Sequence, residues 1–144
     1  MKSFNNHTFE DFFNLACGKE IGYGHSRKVF DCNLNPDWVV KVEIEEFHRS
    51  FGNVIECSYW DNNKYSDKIA KWLAPCHFLS PDGKILIQSK TQPVRDCELP
   101  EKLPSFLTDI KKSNFGLLNG NLVCHDYAIT IISSNTKLKN VEWF

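Results

Sequence analysis

The stretch LTDIKKSNFGLLNGNLVCHDYA, residues 107–128, carries two carboxylates and an amide close together. Asp109 and Asn114 stand in a segment that leads into an apolar run, and Asp126 closes that run after Leu-Val-Cys-His. Oxygen donors gathered at strand ends suit Mg²⁺, a hard cation that takes a few protein oxygens and keeps water or phosphate on its remaining positions. Taken singly, each residue also has a plain structural role: Asp109 and Asn114 can cap turns, and Asp126 can end a hairpin. Upstream, VVKVE sets Lys41 in the middle of a β-branched run. Alternation alone makes Lys41 an outward residue. A buried lysine instead needs an anion, and Glu56 in NVIEC can supply one. In IGYGHSRKVF, Gly22 and Gly24 fit an ordinary β-turn. They would also let the backbone approach a phosphate, since no Cβ intervenes.

The elements that must position these residues follow from local pattern. TFEDFFNLACGKE predicts a short helix capped by Thr8, with Glu10 and Asp11 at its positive end and Gly18 as its stop. KEIGYGHSRKVFDCN and WVVKVEI predict β structure around an NLNPD turn at residues 33–37. FGNVIECSYWDNNK predicts a helix over residues 51–64, with a mixed apolar face drawn from Val54, Ile55, Ser58 and Tyr59. APCHFLSPDGKILIQSK predicts a hairpin turning at Ser80-Pro81-Asp82-Gly83, and a second hairpin turns at Asn119-Gly120. RDCELPEKLPSF, with Pro100 and Pro104, reads as a loop, and the tail TKLKNVEWF is ambiguous.

In chain order these features are a glycine loop, a strand lysine, a helix glutamate, a hairpin, D-x-x-x-x-N, a strand and D-aromatic-small. That series resembles the protein-kinase signature set. G-Y-G-H-S-R-K-V is similar to G-x-G-x-x-G-x-V, with Arg27 in place of the third glycine. V-V-K supplies the strand lysine at Lys41, and N-V-I-E-C the helix glutamate at Glu56. D-I-K-K-S-N matches the catalytic-loop pattern at Asp109 and Asn114, and D-Y-A stands where D-F-G would. The resemblance is strongest to small phage-encoded kinase-like proteins with an abbreviated length.

The resemblance implies an α+β fold: a kinase-like N-lobe antiparallel sheet with one main helix, then a short hairpin carrying the catalytic and metal loops, with a truncated C-lobe. It implies a single domain, 1–144, made of an N-terminal helix in 1–20, the N-lobe-like sheet and helix in 21–92, and the abbreviated catalytic and metal region in 93–144. ATP and Mg²⁺ are the implied cofactors. Gly22 and Gly24 would cover the phosphates, Lys41 held by Glu56 would contact them, and Gln88 would lie near the adenine. Asn114 and Asp126 would hold the metal, and Asp109 would orient the acceptor hydroxyl and take its proton. The chain departs from the family pattern at Arg27, at Leu107-Thr108 before the catalytic aspartate, and at Ala128. Only 18 residues follow Asp126, too few for an activation segment.

Two functions follow from the same resemblance. One is a minimal protein phosphotransferase acting on itself or on a host protein. The alternative is a catalytically inactive, pseudokinase-type binding module that docks on and inhibits a host protein such as a defence enzyme, with Trp38, Trp60, Trp72 and Trp143 as candidate anchors and a homodimer among the partners to be considered. The complete set of metal ligands favours the enzyme.

Composition narrows the setting. The chain has 144 residues and a net charge of −1, and no basic run exceeds two residues, so neither nucleic acid nor a membrane surface is an expected partner. No apolar run approaches ~18 residues, and the polar, acidic N-terminus does not resemble a signal peptide, so a cytoplasmic protein is expected, in the host cytoplasm if phage-encoded. The six cysteines show no CxxC spacing and several lie in apolar runs, where reduced thiols act as small hydrophobes.

Overall fold

A computed structural model describes residues 6–24, 26–44, 51–128 and 134–144. Residues 1–5 of the expected N-terminal segment and His25 of the glycine motif lie outside the described residues. The fold is α+β, with a five-stranded antiparallel sheet and few helices. The chain divides into two compact units, residues 1–57 with 76–90, and residues 58–75 with 91–144. Among the described residues, no helix is long and apolar enough to cross a membrane.

The first unit opens with helix α1, Asn6–Ala16, which runs straight into strand β1, Cys17–Tyr23. Phe9, Phe12 and Phe13 recur at the helical spacing and pack on the sheet. The helix ends two residues before Gly18, the expected stop. Asn33 replaces that glycine: its amide reaches the carbonyls of Leu15 and Cys17, and its backbone N–H donates to Ala16 O at 2.8 Å. Gly18 is instead a packing glycine, since a Cβ there would come within 2.8 Å of Asn33 Oδ1. Glu10 and Asp11 also miss the first turn, because the helix begins at Asn6.

Strands β2, Arg27–Cys32, β3, Trp38–Glu43, β4, Cys76–Leu79, and β5, Ile85–Ser89, complete the sheet in the order β1-β2-β3-β5-β4. In β3, side chains alternate between two covered faces. Val40 and Val42 join Ala16, Cys32, Ile85 and Ile87 in the core under α1. Lys41 points the other way, toward helix α2, Gly52–Asn63. The period-2 pattern is therefore present, but the face it assigns to Lys41 is buried.

The buried residues of α2 are Gly52, Asn53, Glu56 and Cys57, so its inward stripe is largely polar. Val54 and Ile55, expected on the apolar face, are 38% and 44% exposed. The sheet face beneath α2 carries charge, and an apolar stripe would have left that charge without partners.

The second unit contains a short helix α3, Asp67–Ala70, and two small antiparallel pairs. Strand β6, Lys102–Pro104, pairs with β9, Leu138–Asn140, so the proline-rich segment expected as a loop and the ambiguous tail together form a ladder. A prolyl residue at the end of so short a strand is tolerated because few N–H donors are needed there. Strands β7, Phe115–Leu118, and β8, Asn121–Cys124, form the second hairpin. Asn119 and Gly120 turn it with φ of 52° and 82°, the left-handed pair that a two-residue loop requires. Tyr127 is fully buried, lies against Tyr59 and donates its hydroxyl to Ala74 O at 2.8 Å. None of the four tryptophans is exposed: Trp38 stacks on His77, and Trp143 packs edge-on to Phe115 while donating to Pro100 O.

Candidate functional site

In the first unit the candidate residues converge on the carboxylate of Glu56, which is fully buried. Lys41 Nζ lies 2.5 Å from Oε1, and Gln88 Nε2 donates to the same oxygen at 3.1 Å. Arg27 Nη2 holds Oε2 at 2.9 Å. Lys41 and Arg27 are themselves only 5% and 7% exposed. Burial by itself would raise the Glu56 carboxyl. The Lys41 and Arg27 cations, with the hydrogen bonds both donate, outweigh that and bring it down to about 2.

Asn53 fixes this cluster to the sheet. Its two amide hydrogens are shared among the carbonyls of Lys41, Gly83 and Lys84 at 2.9–3.1 Å, and its Oδ1 accepts from Arg27 Nη1 at 3.2 Å. The backbone N–H of Asn53 donates to Glu43 Oε1 at 3.0 Å, which sets an anion at the positive end of α2. Gly83 can present its carbonyl because the Ser80–Lys84 turn takes a positive φ of 75° there, with Asp82 accepting from Ser80 Oγ and Lys84 N.

Lys41, Glu56 and Gln88 are thus brought together. Gln88 is fully buried, and its amide faces the carboxylate. Gly22 and Gly24 lie at the β1–β2 end of the sheet, Gly22 beside an irregularity in the strand register. Neither has positive φ, and a Cβ at either would come no nearer than 3.4 Å to its neighbours, so the fold itself does not demand glycine there.

Asp109, Asn114 and Asp126 all belong to the second unit. The chain turns through a single 3₁₀ turn, Lys112–Asn114, which folds the Asn114 amide back on Asp109. Asn114 Nδ2 donates to Asp109 Oδ2 at 2.9 Å and to Asp109 O at 3.1 Å. With its nitrogen so committed, Asn114 turns its amide oxygen elsewhere. Lys111 Nζ stands 3.8 Å from Asp109 Oδ1.

Asp126 is exposed and lies just beyond β8. Its neighbour His125 is held firmly. The backbone N–H of His125 donates to Asn114 O at 2.9 Å. Its Nε2 lies 2.7 Å from the carbonyl of Ser113, which can only accept. Nε2 therefore carries a proton, and Nδ1 lies 2.7 Å from Thr91 Oγ1. Ala128, in the last position of D-Y-A, has no positive φ, so alanine is accommodated without backbone strain.

A hollow of ≈ 450 Å³ opens beside Asp109, with Thr108, Lys111, Lys139 and Glu142 among its walls. Among the described residues, no three His, Cys, Asp or Glu side chains gather as metal ligands. The expected metal donors flank the β7–β8 hairpin: Asn114 closes the turn before β7 and Asp126 follows β8; an amide oxygen and a carboxylate are donor types that suit a hard cation.

Sequence reasoning named Arg27 only as a departure from a glycine pattern and passed over Asn53 and Glu43. An Arg beside two glycines and an Asn at a helix start were the available signals, but only the pairing of β2 with β3 sets Arg27 opposite Glu43. No model of a known protein family matches the chain, and no curated protein matches it in sequence.

Proposed function

We propose that the chain is a kinase-like Mg-ATP-binding protein acting as a minimal phosphotransferase on a protein hydroxyl, its own or a host protein's. The observation that carries this reading is the buried pair of Lys41, on the central strand, with Glu56, on the helix beside it, at 2.5 Å. A second support is the contact of Asn114 with Asp109. In this reading the five-stranded sheet with α2 is N-lobe-like, and the segment carrying Asp109 and Asp126 stands for an abbreviated C-lobe.

When bound, magnesium ATP supplies the phosphoryl group and much of the charge neutralisation. Lys41 would hold the phosphate oxygens, with Glu56 fixing where its ammonium stands. Asn114 Oδ1 and the Asp126 carboxylate would hold the metal. Asp109, steadied through Oδ2 by Asn114, would orient the acceptor hydroxyl and take its proton. The hollow beside Asp109 offers room for an acceptor side chain. The gain in rate would come from positioning and from fixed charge.

The test pairs a thermal-shift titration with transfer of labelled γ-phosphate. Saturating Mg-ATP should stabilise the wild type by roughly 2–3 kcal/mol at about a hundred times Kd. Asp126→Ala, at an exposed position, should abolish both the shift and the transfer. A wild type without a shift, or transfer undiminished in Asp126→Ala, refutes the reading.

The binding-module reading has an observation of its own: Glu56 holds two cations in a site closed to solvent, an arrangement that also serves structure alone. A stoichiometric partner captured equally by wild type and Asp126→Ala, without nucleotide stabilisation of either, selects it.

A further inference from the structure

We propose that Cys17 and Cys32 form a modification site: a dithiol pair that a small-molecule disulfide oxidises to a cross-strand bond at the base of the β1–β2 hairpin.

Cys17 and Cys32 are register partners across the β1–β2 ladder, and both are free thiols. One step toward the helix, the Asn33 N–H donates to Ala16 O at 2.8 Å, which makes Ala16 and Asn33 a hydrogen-bonded pair. Antiparallel pairs alternate in kind, so Cys17 and Cys32 occupy a non-hydrogen-bonded pair. Side chains come closest at such pairs, and the Cα atoms stand about 4.5 Å apart. That separation lies within the roughly 4.4–6.8 Å that a disulfide spans. Both side chains also leave the ladder on one face: Cys32 is buried in the core under α1, and Cys17 packs against that core. Among the described residues, no other two cysteines are register partners.

Cys17 is the point of entry, since it is half-buried whereas Cys32 is 6% exposed. The Cys17 thiolate attacks one sulfur of the oxidant, forms a mixed disulfide and expels a small thiolate. The Cys32 thiolate then attacks the Cys17 sulfur and expels the second small thiolate. The two protons that the cysteines give up end on the expelled thiolates, so the pair loses two electrons and the oxidant leaves as two thiols. Burial, with Cys32 beside it, pushes the Cys17 thiol up to about 12. Little thiolate is then present, and closure is slow. The same property makes Cys17 a poor leaving group, so the bond once made resists reopening. Such a pair is a slow latch. The loop it closes, residues 17–32, carries Gly22, Gly24 and the Arg27 that holds Glu56.

The test incubates the full chain with excess oxidised glutathione at alkaline pH. Unreduced digests are mapped by mass spectrometry, and melting is followed before and after. The peptides holding Cys17 and Cys32 should be joined, two hydrogens lighter than their sum. The melting temperature should rise by about 5–10 °C, the scale expected for closing a loop of roughly 15 residues, and dithiothreitol should reverse the rise. Cys17→Ser should show neither the joined peptides nor the rise. Cys17 and Cys32 left unmodified, or each carrying glutathione without a bond between them, overturns the proposal. A joined pair whose melting temperature is no higher than that of the reduced chain also overturns it, because thiols already opposed should close without moving the strands. A rise that persists in folded Cys17→Ser overturns it as well, and if Cys17→Ser does not fold, the wild-type map and melting decide.

Discussion

In Glu56→Gln the side chain keeps its size and loses its charge, leaving Arg27 and Lys41 facing a neutral amide in a site closed to solvent. Two independent routes give the size of the effect. The carboxyl is lowered from 4.5 to about 2 in the fold, which at 1.36 kcal/mol per pH unit corresponds to about 3 kcal/mol. Removing one partner of a buried ion pair typically costs about 3–5 kcal/mol. The sign follows from proton binding. Between pH 4.5 and about 2 the unfolded chain takes up a proton on Glu56 that the folded chain refuses. The stabilisation is therefore complete above the unfolded value and is lost as pH falls toward 2. Urea unfolding followed by circular dichroism, at pH 7, 5, 4 and 3, measures both quantities. Glu56→Gln should be less stable than wild type by about 3 kcal/mol at pH 7, and the gap should narrow through the acid range. A variant within about 1 kcal/mol of wild type at pH 7, or a gap that stays constant as the pH falls, refutes the reasoning.

Asn53→Ala removes donors to three backbone carbonyls and an acceptor for Arg27, and should cost about 2–4 kcal/mol by urea titration; a loss under about 1 kcal/mol counts against the anchoring role. Gly116→Ala drives a methyl into Thr91 Oγ1 and to 2.9 Å from Gln92 O, so its melting temperature should fall by an amount equivalent to about 1–3 kcal/mol, and an unchanged melting curve would mean the strand yields easily. Burial, with Cys32 adding to it, raises the Cys17 thiol to about 12, so iodoacetamide at pH 8 should modify the exposed Cys97 well before Cys17, as read by peptide mass spectrometry; equal rates would contradict the described surroundings.

Elements with strong local signals were legible in the sequence. The Ser80–Gly83 and Asn119-Gly120 turns announced their hairpins through residues that tolerate positive φ, and β3 and α2 ended within a residue or two of expectation. The β6–β9 pair was hidden, because three residues per strand carry almost no period and the partners are far apart along the chain, from Lys102↔Asn140 to Pro104↔Leu138. The end of α1 was misread because its cap comes from Asn33, on the far side of a strand pair. For the candidate site, spacing gave the Asp109–Asn114 contact directly, since a five-residue separation closes in one tight turn. The burial of Lys41 was not legible: alternation says that neighbours face opposite ways, and only packing decides that both ways are covered. Arg27 as a second cation on Glu56 required strand register and helix docking together.

The chain passes from one compact unit to the other after residues 57, 75 and 90. Neither unit is an uninterrupted piece of polypeptide, so no single cleavage separates one cleanly from the other. During synthesis the sheet must wait for β5 to leave the ribosome before β3 gains its second neighbour, by which point α3 has already been made. Assembly of the two units is thus interleaved in time, and a stop or frameshift anywhere before residue 85 removes the strand beside Lys41 along with everything after it.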